Sequence, residues 1–224
     1  MINLNNITVK YGSNTVYDNF SCTFGPGVNV VVGKSGCGKT TLLNVVADLV
    51  GYAGVCQKEG RVALVFQQPT LAPVSVFKNV DLALPHKDNG QIDLALQLTG
   101  LLDKRNQNAT RLSGGEQQRV SLARAFASQR EILLMDEPFS NLDYGAKTGL
   151  RKTLDDILIA APKTVLFVTH DIDDALMLAD RIYLLQNHPA QIAQVAEIAT
   201  PRNMRQDTDT QLVKLKTQLQ QLLQ

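Results

Sequence analysis

Hydrophobic and polar positions alternate in the first part of the chain. In residues 2–24, apolar and polar side chains alternate on both sides of a turn at residues 12–14. This pattern predicts two antiparallel strands. Residues 28–32 form a nearly continuous run of β-branched side chains, as is typical of a strand buried on both faces of a parallel sheet. A glycine-rich turn follows, and residues 42–50 have helical composition. The pattern therefore predicts an antiparallel lobe that leads into a buried parallel strand.

Strands and helices alternate in the remainder of the chain. Residues 61–66 predict another strand, after a loop that contains several glycines. Prolines divide residues 67–112, which are otherwise of helical composition, into several short helices. Strands predicted at residues 132–135 and 164–168 flank a helix at about residues 144–160. This order is typical of a layered α/β domain.

Neither a repeat nor a low-complexity linker divides the chain. We therefore expect one domain, residues 1–224, with an inserted helical lobe at about residues 68–130. An amphipathic helix is predicted at about residues 207–223, with leucines at spacings of three and four. We expect these leucines to pack against the domain rather than to form a coiled coil. They are Leu212, Leu215, Leu219 and Leu222.

Composition and charge restrict the class of protein. Of the 224 residues, 44% are hydrophobic and 19% are charged, which favours a packed core over disorder. No apolar run approaches the roughly 18 residues of a membrane-spanning helix. The chain has 22 Lys and Arg and 21 Asp and Glu, so its net charge is +1. This charge is too small to favour binding of nucleic acid. Since the start lacks the pattern of a secretory signal, we expect a cytoplasmic protein, with Cys22, Cys37 and Cys56 as free thiols.

A phosphate-binding motif follows the buried strand. Residues 33–40 match G-x-x-x-x-G-K-[ST], between a predicted strand and a predicted helix. Glycines let backbone N–H groups of such a loop face an anion, and the helix directs the positive end of its dipole there. We expect Lys39 to reach the β and γ phosphates and Thr40 to bind Mg²⁺. The residues expected to hold the nucleotide here are Gly33, Lys34, Ser35, Gly36, Cys37, Gly38, Lys39, Thr40 and Thr41.

The loop alone is compatible with small-molecule kinases, GTPases, helicases and transport ATPases. The tetrapeptide Asn-Lys-x-Asp, which reads guanine, does not occur in the sequence, and this disfavours GTP. A second predicted anion site helps to distinguish among these classes of protein. Ser113 is a good N-cap, while Gly114 and Gly115 expose backbone N–H groups at the start of a helix predicted over residues 113–128.

The segment Leu112-Ser-Gly-Gly-Glu-Gln-Gln-Arg119 resembles the signature of ABC-type ATPases, and the resemblance covers nearly the whole chain. It implies an α/β fold, a P-loop NTPase core of mainly parallel sheet with an N-terminal antiparallel β lobe and an inserted helical lobe that carries the signature. It implies ATP and Mg²⁺ as ligands. It also implies a homodimer, or a heterodimer with a similar ATPase, in which the signature of one subunit closes over the nucleotide held by the other.

Two adjacent carboxylates end the apolar strand at residues 132–135. Because successive residues of a strand point to opposite sides, Asp136 and Glu137 are expected to have different tasks. The resemblance implies that Asp136 holds Mg²⁺ through water and that Glu137 orients or deprotonates the attacking water. The segment Ser140-Asn141-Leu142-Asp143 matches the dimer-contact loop of the family.

Three single residues match further positions of the family. His170 matches the switch histidine, which contacts the γ phosphate and the attacking water, and Gln67 matches the residue that joins the Mg²⁺ shell and senses the γ phosphate. Tyr11 matches the aromatic residue that stacks on adenine, a contact that contributes about 1–3 kcal/mol per base. Taken alone, each of these residues is also compatible with a structural role.

Finer features resemble import ATPases. Glu137-Pro138-Phe139 is closer to importers than the Glu-Pro-Thr form of some exporters, and residues 168–185 are similar to the nitrate, sulfonate and taurine group. The chain departs from that group at Pro73-Val74 and at Glu116-Gln117-Gln118. The segment from Lys39 to Gln67 is also shorter than usual, which predicts a trimmed β lobe.

The resemblance implies a peripheral subunit at the cytoplasmic face of the cell membrane that powers import of a small solute. Its implied partners are integral membrane permease subunits and a substrate-binding protein, and no nucleic acid. We expect residues 69–80 to form the surface that meets the permease. An ABC exporter subunit, or a soluble ABC protein of DNA repair or translation, is an alternative at the level of the sequence.

Overall fold

Strands and helices alternate along most of the chain. The computed structural model describes residues 1–140, 142, 144–206 and 208–223. The strands are β1 Ile2–Tyr11, β2 Asn14–Phe24, β3 Gly27–Val32, β4 Ala53–Lys58, β5 Val62–Val65, β6 Ile132–Asp136, β7 Thr164–Thr169, β8 Arg181–Gln186 and β9 Gln191–Glu197. The helices are α1 Lys39–Val46, α2 Val76–Asp81, α3 Asn89–Leu98, α4 Gly114–Ala127, α5 Tyr144–Ala160, α6 Ile172–Leu178 and α7 Thr210–Leu223. Short 3₁₀ turns lie at Leu102–Lys104, Ala109–Arg111 and Arg202–Met204.

A three-stranded antiparallel sheet has the order β2-β1-β4. The predicted hairpin of β1 and β2 is confirmed, but the expectation that the segment with Gly51, Gly54 and Gly60 is a loop is wrong, because β4 pairs along β1. Gly54 has a φ of +101°, and a Cβ there would lie 2.4 Å from the carbonyl oxygen of Asn6. The glycines of this segment therefore permit a close approach to β1, which local composition alone indicates as a loop.

A six-stranded sheet forms the centre of the domain, in the order β5-β6-β7-β3-β8-β9. The pairs from β5 to β8 are parallel, and β9 pairs antiparallel with β8 at the edge. This confirms a mainly parallel core sheet with an N-terminal antiparallel lobe. The sequence pattern did not indicate β8 and β9 as strands.

Both faces of the central sheet are covered. Val30 and Val32 of β3 point to the layer that contains α4, α5, α6 and α7. Val31 points to the opposite layer, which contains α1 and the small sheet. Because alternate side chains are buried on either side, the strand reads as a continuous apolar run rather than as alternating positions. The layered α/β prediction is confirmed.

The segment between β5 and β6 is helical. Helices α2, α3 and α4 share an apolar cluster of their own, which includes Val76, Ile92, Leu96 and Val120. This cluster is separate from the two that cover the central sheet. The boundaries of an inserted lobe at residues 68–130 stay a prediction.

The C-terminal leucines pack mainly against the domain. Leu212 and Leu219 are buried and Leu215 packs against the same core cluster, whereas Leu222 is exposed. Helix α7 begins at Thr210 rather than at the expected residue 207. Among the described residues, no helix is both long and apolar enough to cross a bilayer. Cys22, Cys37 and Cys56 are free thiols, as expected.

A buried asparagine connects the parallel strands at their amino ends. The Asn29 side chain is fully buried, and its Nδ2 lies 2.7 Å from the carbonyl oxygen of Gly25 and 3.1 Å from that of Val165. The Tyr183 hydroxyl donates to its Oδ1 at 3.3 Å. A polar side chain is stable in this position because backbone and side-chain partners replace water. This explains the one polar residue in the valine run of β3.

Replacing Asn29 should therefore destabilise the core. We expect Asn29→Leu to lower the free energy of unfolding by about 2–4 kcal/mol, since buried carbonyls lose their donor. Tyr183→Phe, which removes one hydroxyl only, should cost about 1 kcal/mol. Urea unfolding followed by circular dichroism measures both. A loss for Asn29→Leu no larger than that for Tyr183→Phe would contradict this account.

Candidate nucleotide site

The glycine-rich loop lies between β3 and α1 at the carboxyl edge of the central sheet. Gly38 has a φ of +104° and Gly36 a φ of +82°, so two of its glycines adopt the left-handed conformation. Gly33 is close-packed, since a Cβ there would lie 2.6 Å from the carbonyl oxygen of Leu185. Lys34, Ser35 and Gly36 are exposed. The loop is thus anchored at its ends and open in its middle.

Helix α1 begins at Lys39, directly after the loop, and not at residue 42 as its composition indicated. Gly38 is its N-cap and provides no side-chain cap. The first N–H groups of α1 therefore lack a side-chain acceptor and can face an anion. Thr40 and Thr41 lie in this first turn.

Lys39 is buried beneath the loop. Its Nζ donates to the carbonyl oxygens of Gly33 at 2.8 Å and of Lys34 at 3.0 Å. The same Nζ lies 4.0 Å from Oε1 of Glu137. A buried ammonium group requires such partners, because an unpaired charge is costly to remove from water. The structure therefore brings the lysine of the loop to the carboxylate that ends β6.

Asp136 faces the first turn of α1. Its carboxylate lies beside the Thr40 side chain. Burial raises the pKa of Asp136, and the neighbouring Glu137 adds to this, while Thr40 and Lys39 oppose it. A partly buried carboxylate beside a hydroxyl is a favourable oxygen donor set for a small hard cation.

Glu137 has an uncommon backbone conformation that sequence reasoning did not predict. Its φ is +41°, which is rare for a non-glycine residue. Three backbone contacts hold it there: its N–H donates to the Val168 carbonyl at 2.9 Å, and its own carbonyl accepts from the Ser140 N–H at 3.2 Å and hydroxyl at 3.0 Å. Strained backbone of this kind is typical of functional sites.

The Glu137 carboxylate is the centre of a polar cluster. Its Oε2 lies 2.9 Å from Nδ1 of His170 and accepts from Nε2 of Gln67 at 3.4 Å. The Gln67 amide also donates to the Ser140 hydroxyl at 3.2 Å. Gln67 and His170, which the sequence analysis selected individually and which come from separate segments, therefore both lie within hydrogen-bonding distance of the Glu137 carboxylate.

Tyr11 lies at the end of β1, beside the hairpin turn, and its side chain is 48% exposed. An exposed ring is accessible to a flat base. The tyrosine in direct contact with the loop is Tyr17, whose hydroxyl donates to the Gly38 carbonyl at 2.9 Å. Burial raises the pKa of Tyr17, so it stays protonated and can donate. The sequence analysis missed Tyr17, because only the pairing of β1 and β2 places it there.

The signature residues start α4. Ser113 caps the helix and forms a capping box with Glu116, whose pKa is lowered by its ion pair with Lys104 and by the Ser113 N–H. A Cβ on Gly114 would meet open space. Gly115 lies against Leu142 and Ala146, at the start of α5. The helix start is thus exposed and adjoins the expected dimer-contact loop, of which Asn141 and Asp143 lie outside the described residues.

Gly38 should be intolerant of any side chain. A Cβ there would lie 2.9 Å from Cγ1 of Val16 and 3.2 Å from the Tyr17 hydroxyl, in addition to the left-handed strain of about 1–2 kcal/mol. We expect Gly38→Ala to weaken binding of a fluorescent ATP analogue by tenfold or more. Gly12→Ala is the control, because Gly12 also has a positive φ but open space around it. Equal affinity in both variants would count against this account.

Comparison with known proteins gives the family. Residues 17–140 match the ABC transporter family. The chain is 38% identical to an aliphatic sulfonates import ATP-binding protein of Pseudomonas fluorescens, over 97% of this chain and 84% of that protein. It is 34% identical to the protein of the same name from Albidiferax ferrireducens, over 89% of this chain and 76% of that protein.

A solved structure supports the fold. The chain superimposes with a TM-score of 0.77 on an ABC transporter described as metal-chelate type, in an inward-facing conformation. The two are 23% identical, and the match covers 88% of this chain and 82% of the other. With the loop, the strand-end carboxylates and these matches together, the chain belongs to the ABC transporter family of ATP-hydrolysing proteins.

Proposed function

We propose that this chain hydrolyses ATP at the Glu137 cluster to power import of a small solute, with a sulfonate or a related compound such as nitrate or taurine as the substrate class. The ATPase site is supported by the contacts of His170 and Gln67 with the Glu137 carboxylate. This carboxylate lies 4.0 Å from Nζ of the loop lysine, Lys39. The import direction and the substrate class are supported by the names of its relatives.

The phosphates of ATP would bind in the loop. Its backbone N–H groups and the start of α1 would face the phosphate oxygens, and Lys39 would exchange its carbonyl partners for them. Burial of Lys39 supports this, because a desolvated ammonium group attracts phosphate more strongly than an exposed one. Tyr11 would stack on the adenine.

The residues near α1 fit Mg²⁺. Thr40 and Asp136, which lie beside each other, would hold the ion, and Gln67 would join its shell. When bound, the ion would neutralise phosphate charge. Among the described residues no group of three or more His, Cys, Asp or Glu side chains is placed to hold a metal ion. That is compatible with Mg²⁺ of nucleotide sites, which is held mainly by phosphate oxygens and water.

Glu137 would orient the attacking water and accept its proton. Backbone contacts at positive φ hold the Glu137 main chain, and His170 and Gln67 contact its carboxylate, so the group is oriented before ATP binds. His170 would contact the γ phosphate and the attacking water. The attack itself would be an in-line displacement at the γ phosphorus.

A second chain would complete each site. The exposed start of α4, with Ser113, Gly114 and Gly115, provides N–H groups that its own loop does not use. In a homodimer, or in a heterodimer with a similar ATPase, this helix start would close over the nucleotide of the partner. The segment of residues 140–143 would then lie between the two sites.

A membrane permease would dock beside the helical segment. A groove of about 410 Å³ there is lined by Phe66, Thr70, Leu82 and Arg124, among others. Phe66 and Leu82 are exposed although apolar, and Arg124 fixes the segment by donating to the Thr70 carbonyl at 2.8 Å. We propose this groove, together with residues 69–80, as the permease surface. A substrate-binding protein would select the solute outside the membrane.

The glutamate variant tests the catalytic role. Glu137→Gln should abolish steady ATP hydrolysis, because the amide cannot accept the proton of water, and should keep ATP binding and favour a dimer. Lys39→Ala should instead lose ATP affinity. Phosphate release, equilibrium binding and sedimentation measure these effects. Wild-type turnover in Glu137→Gln would contradict the proposal, as would ATP-dependent uptake of sulfonate that persists in the reconstituted variant.

Crosslinking tests the permease surface. A photo-reactive amino acid at the exposed Val74 should label a co-expressed permease, because Val74 lies in the proposed surface. The control is the same substitution at Val195, which is also exposed but lies on β9, at the sheet edge opposite β5. Labelling from Val195 and none from Val74 would place the contact on the wrong face and overturn the assignment.

A further inference from the structure

An ion-pair cluster follows His170 directly. Three carboxylates lie at the start of α6, and each has a cationic partner on another helix. The pairs are Asp171 with Lys147 of α5, Asp174 with Lys147 and Arg151 of α5, and Asp173 with Lys216 of α7. Ion pairs with α5 and with α7 therefore hold the start of α6, immediately after His170.

Asp171 fixes the backbone next to His170. Its Oδ1 accepts from the N–H groups of Asp173 at 2.9 Å and of Asp174 at 3.2 Å, which caps α6. Its own N–H donates to the Thr169 hydroxyl at 2.9 Å. The second carboxylate oxygen, Oδ2, accepts from Lys147 at 2.8 Å. The backbone N–H and both carboxylate oxygens of Asp171 are therefore hydrogen-bonded, and these bonds fix the backbone next to His170.

The His170 side chain has few packing contacts of its own to hold it. It is 55% exposed, and its Nδ1 contacts the Glu137 carboxylate. Because the ring is largely exposed, its position depends on the Glu137 contact and on the backbone that carries it. That backbone depends on Asp171.

Lys147 joins this backbone to α5. It lies in the first turn of α5, which starts at Tyr144, directly after the expected dimer-contact loop. Its Nζ lies 2.8 Å from Asp171 and 3.6 Å from Asp174. Burial lowers the pKa of Lys147, but the two carboxylates outweigh this and raise it. The group is therefore charged at neutral pH.

Arg151 pairs with a more deeply buried carboxylate of the same region. It lies one helical turn beyond Lys147 and binds Asp174, whose side chain is only 2% exposed. Two cations of α5 thus share one buried carboxylate of α6. A buried carboxylate of this kind tolerates little movement of its partners, since losing one leaves a desolvated charge. Helices α5 and α6 should move as one body.

We infer that Lys147 is a positioning residue for ATP hydrolysis. Through its ion pair with Asp171, it fixes the position of the switch histidine, His170, relative to α5. The inference rests on the proposed role of His170. A shift of α5, such as contact with a second chain would cause, is transmitted to the histidine through this ion pair. Hydrolysis at Glu137 is then sensitive to the position of α5.

The test compares Lys147→Met with Lys147→Arg. Methionine keeps the apolar stem and removes the charge, so kcat should fall roughly tenfold or more while KM for ATP changes less than about twofold. Arginine restores the charge and should recover most of kcat. The matched control is Lys152→Met, at an exposed position of the same helix, which should keep wild-type kcat. Unchanged kcat in Lys147→Met would overturn the inference.

A double mutant separates positioning from general damage. In a His170→Ala background, Lys147→Met should cause no further loss, because its effect passes through the histidine. An equal fold-loss in both backgrounds would show a structural role only and would contradict the inference.

A readout without turnover keeps the two proposals distinguishable. The chain has three histidines, so ¹⁵N labelling of histidine gives few ring signals. We expect Lys147→Met to shift the ring signals of His170 and Lys147→Arg to restore them, while those of His86 and His188 stay in place. An unmoved His170 signal would refute the inference even with active enzyme. Absence of ATP hydrolysis by the wild-type chain would contradict the proposed function instead.

Discussion

Strands β3, β6 and β7 run parallel in register, and this pairing sets the places of the glycine-rich loop, Glu137 and His170 in the candidate site. Val32 pairs with Thr169, and Asp136 pairs with Val168. The residues that follow each strand therefore emerge at one edge: the glycine-rich loop after β3, Glu137 after β6 and His170 after β7. Open parallel sheets bind ligands at this edge because the loops that leave neighbouring strands converge there.

The two layers that cover this sheet have different parts in the site. The small antiparallel sheet supports the loop from one side, through the contact of Tyr17 with Gly38. The helical layer holds the other side, through the ion pairs of α5 and α6. Glu137 lies between them at a backbone angle that its own residue type disfavours. Backbone contacts maintain that angle, and His170 and Gln67 contact the carboxylate.

Much of this was predictable because it is local. The continuous apolar run of residues 28–32 reflects burial on both faces, and the glycines and lysine that follow it are the residue types of a phosphate-binding loop. The β4 strand was missed because its glycines resemble a loop until β1 approaches them. Tyr17 and the β8–β9 pair were missed for the same reason, since their roles depend on partners that are distant in sequence.

The sequence by itself determined the fold class, the phosphate loop and the residue types of the site, because these depend on periodicity, glycine conformation and charge within short segments. Only the tertiary structure decided that Glu137, His170, Gln67 and Lys39 meet, since the register between strands sets distances that no spacing along the chain encodes. It also decided which of several charged residues on α5 contacts the carboxylate of Asp171, the residue after His170. Helical periodicity places Lys147 and Lys152 on the same helix, and packing alone distinguishes a partner of Asp171 from an exposed lysine.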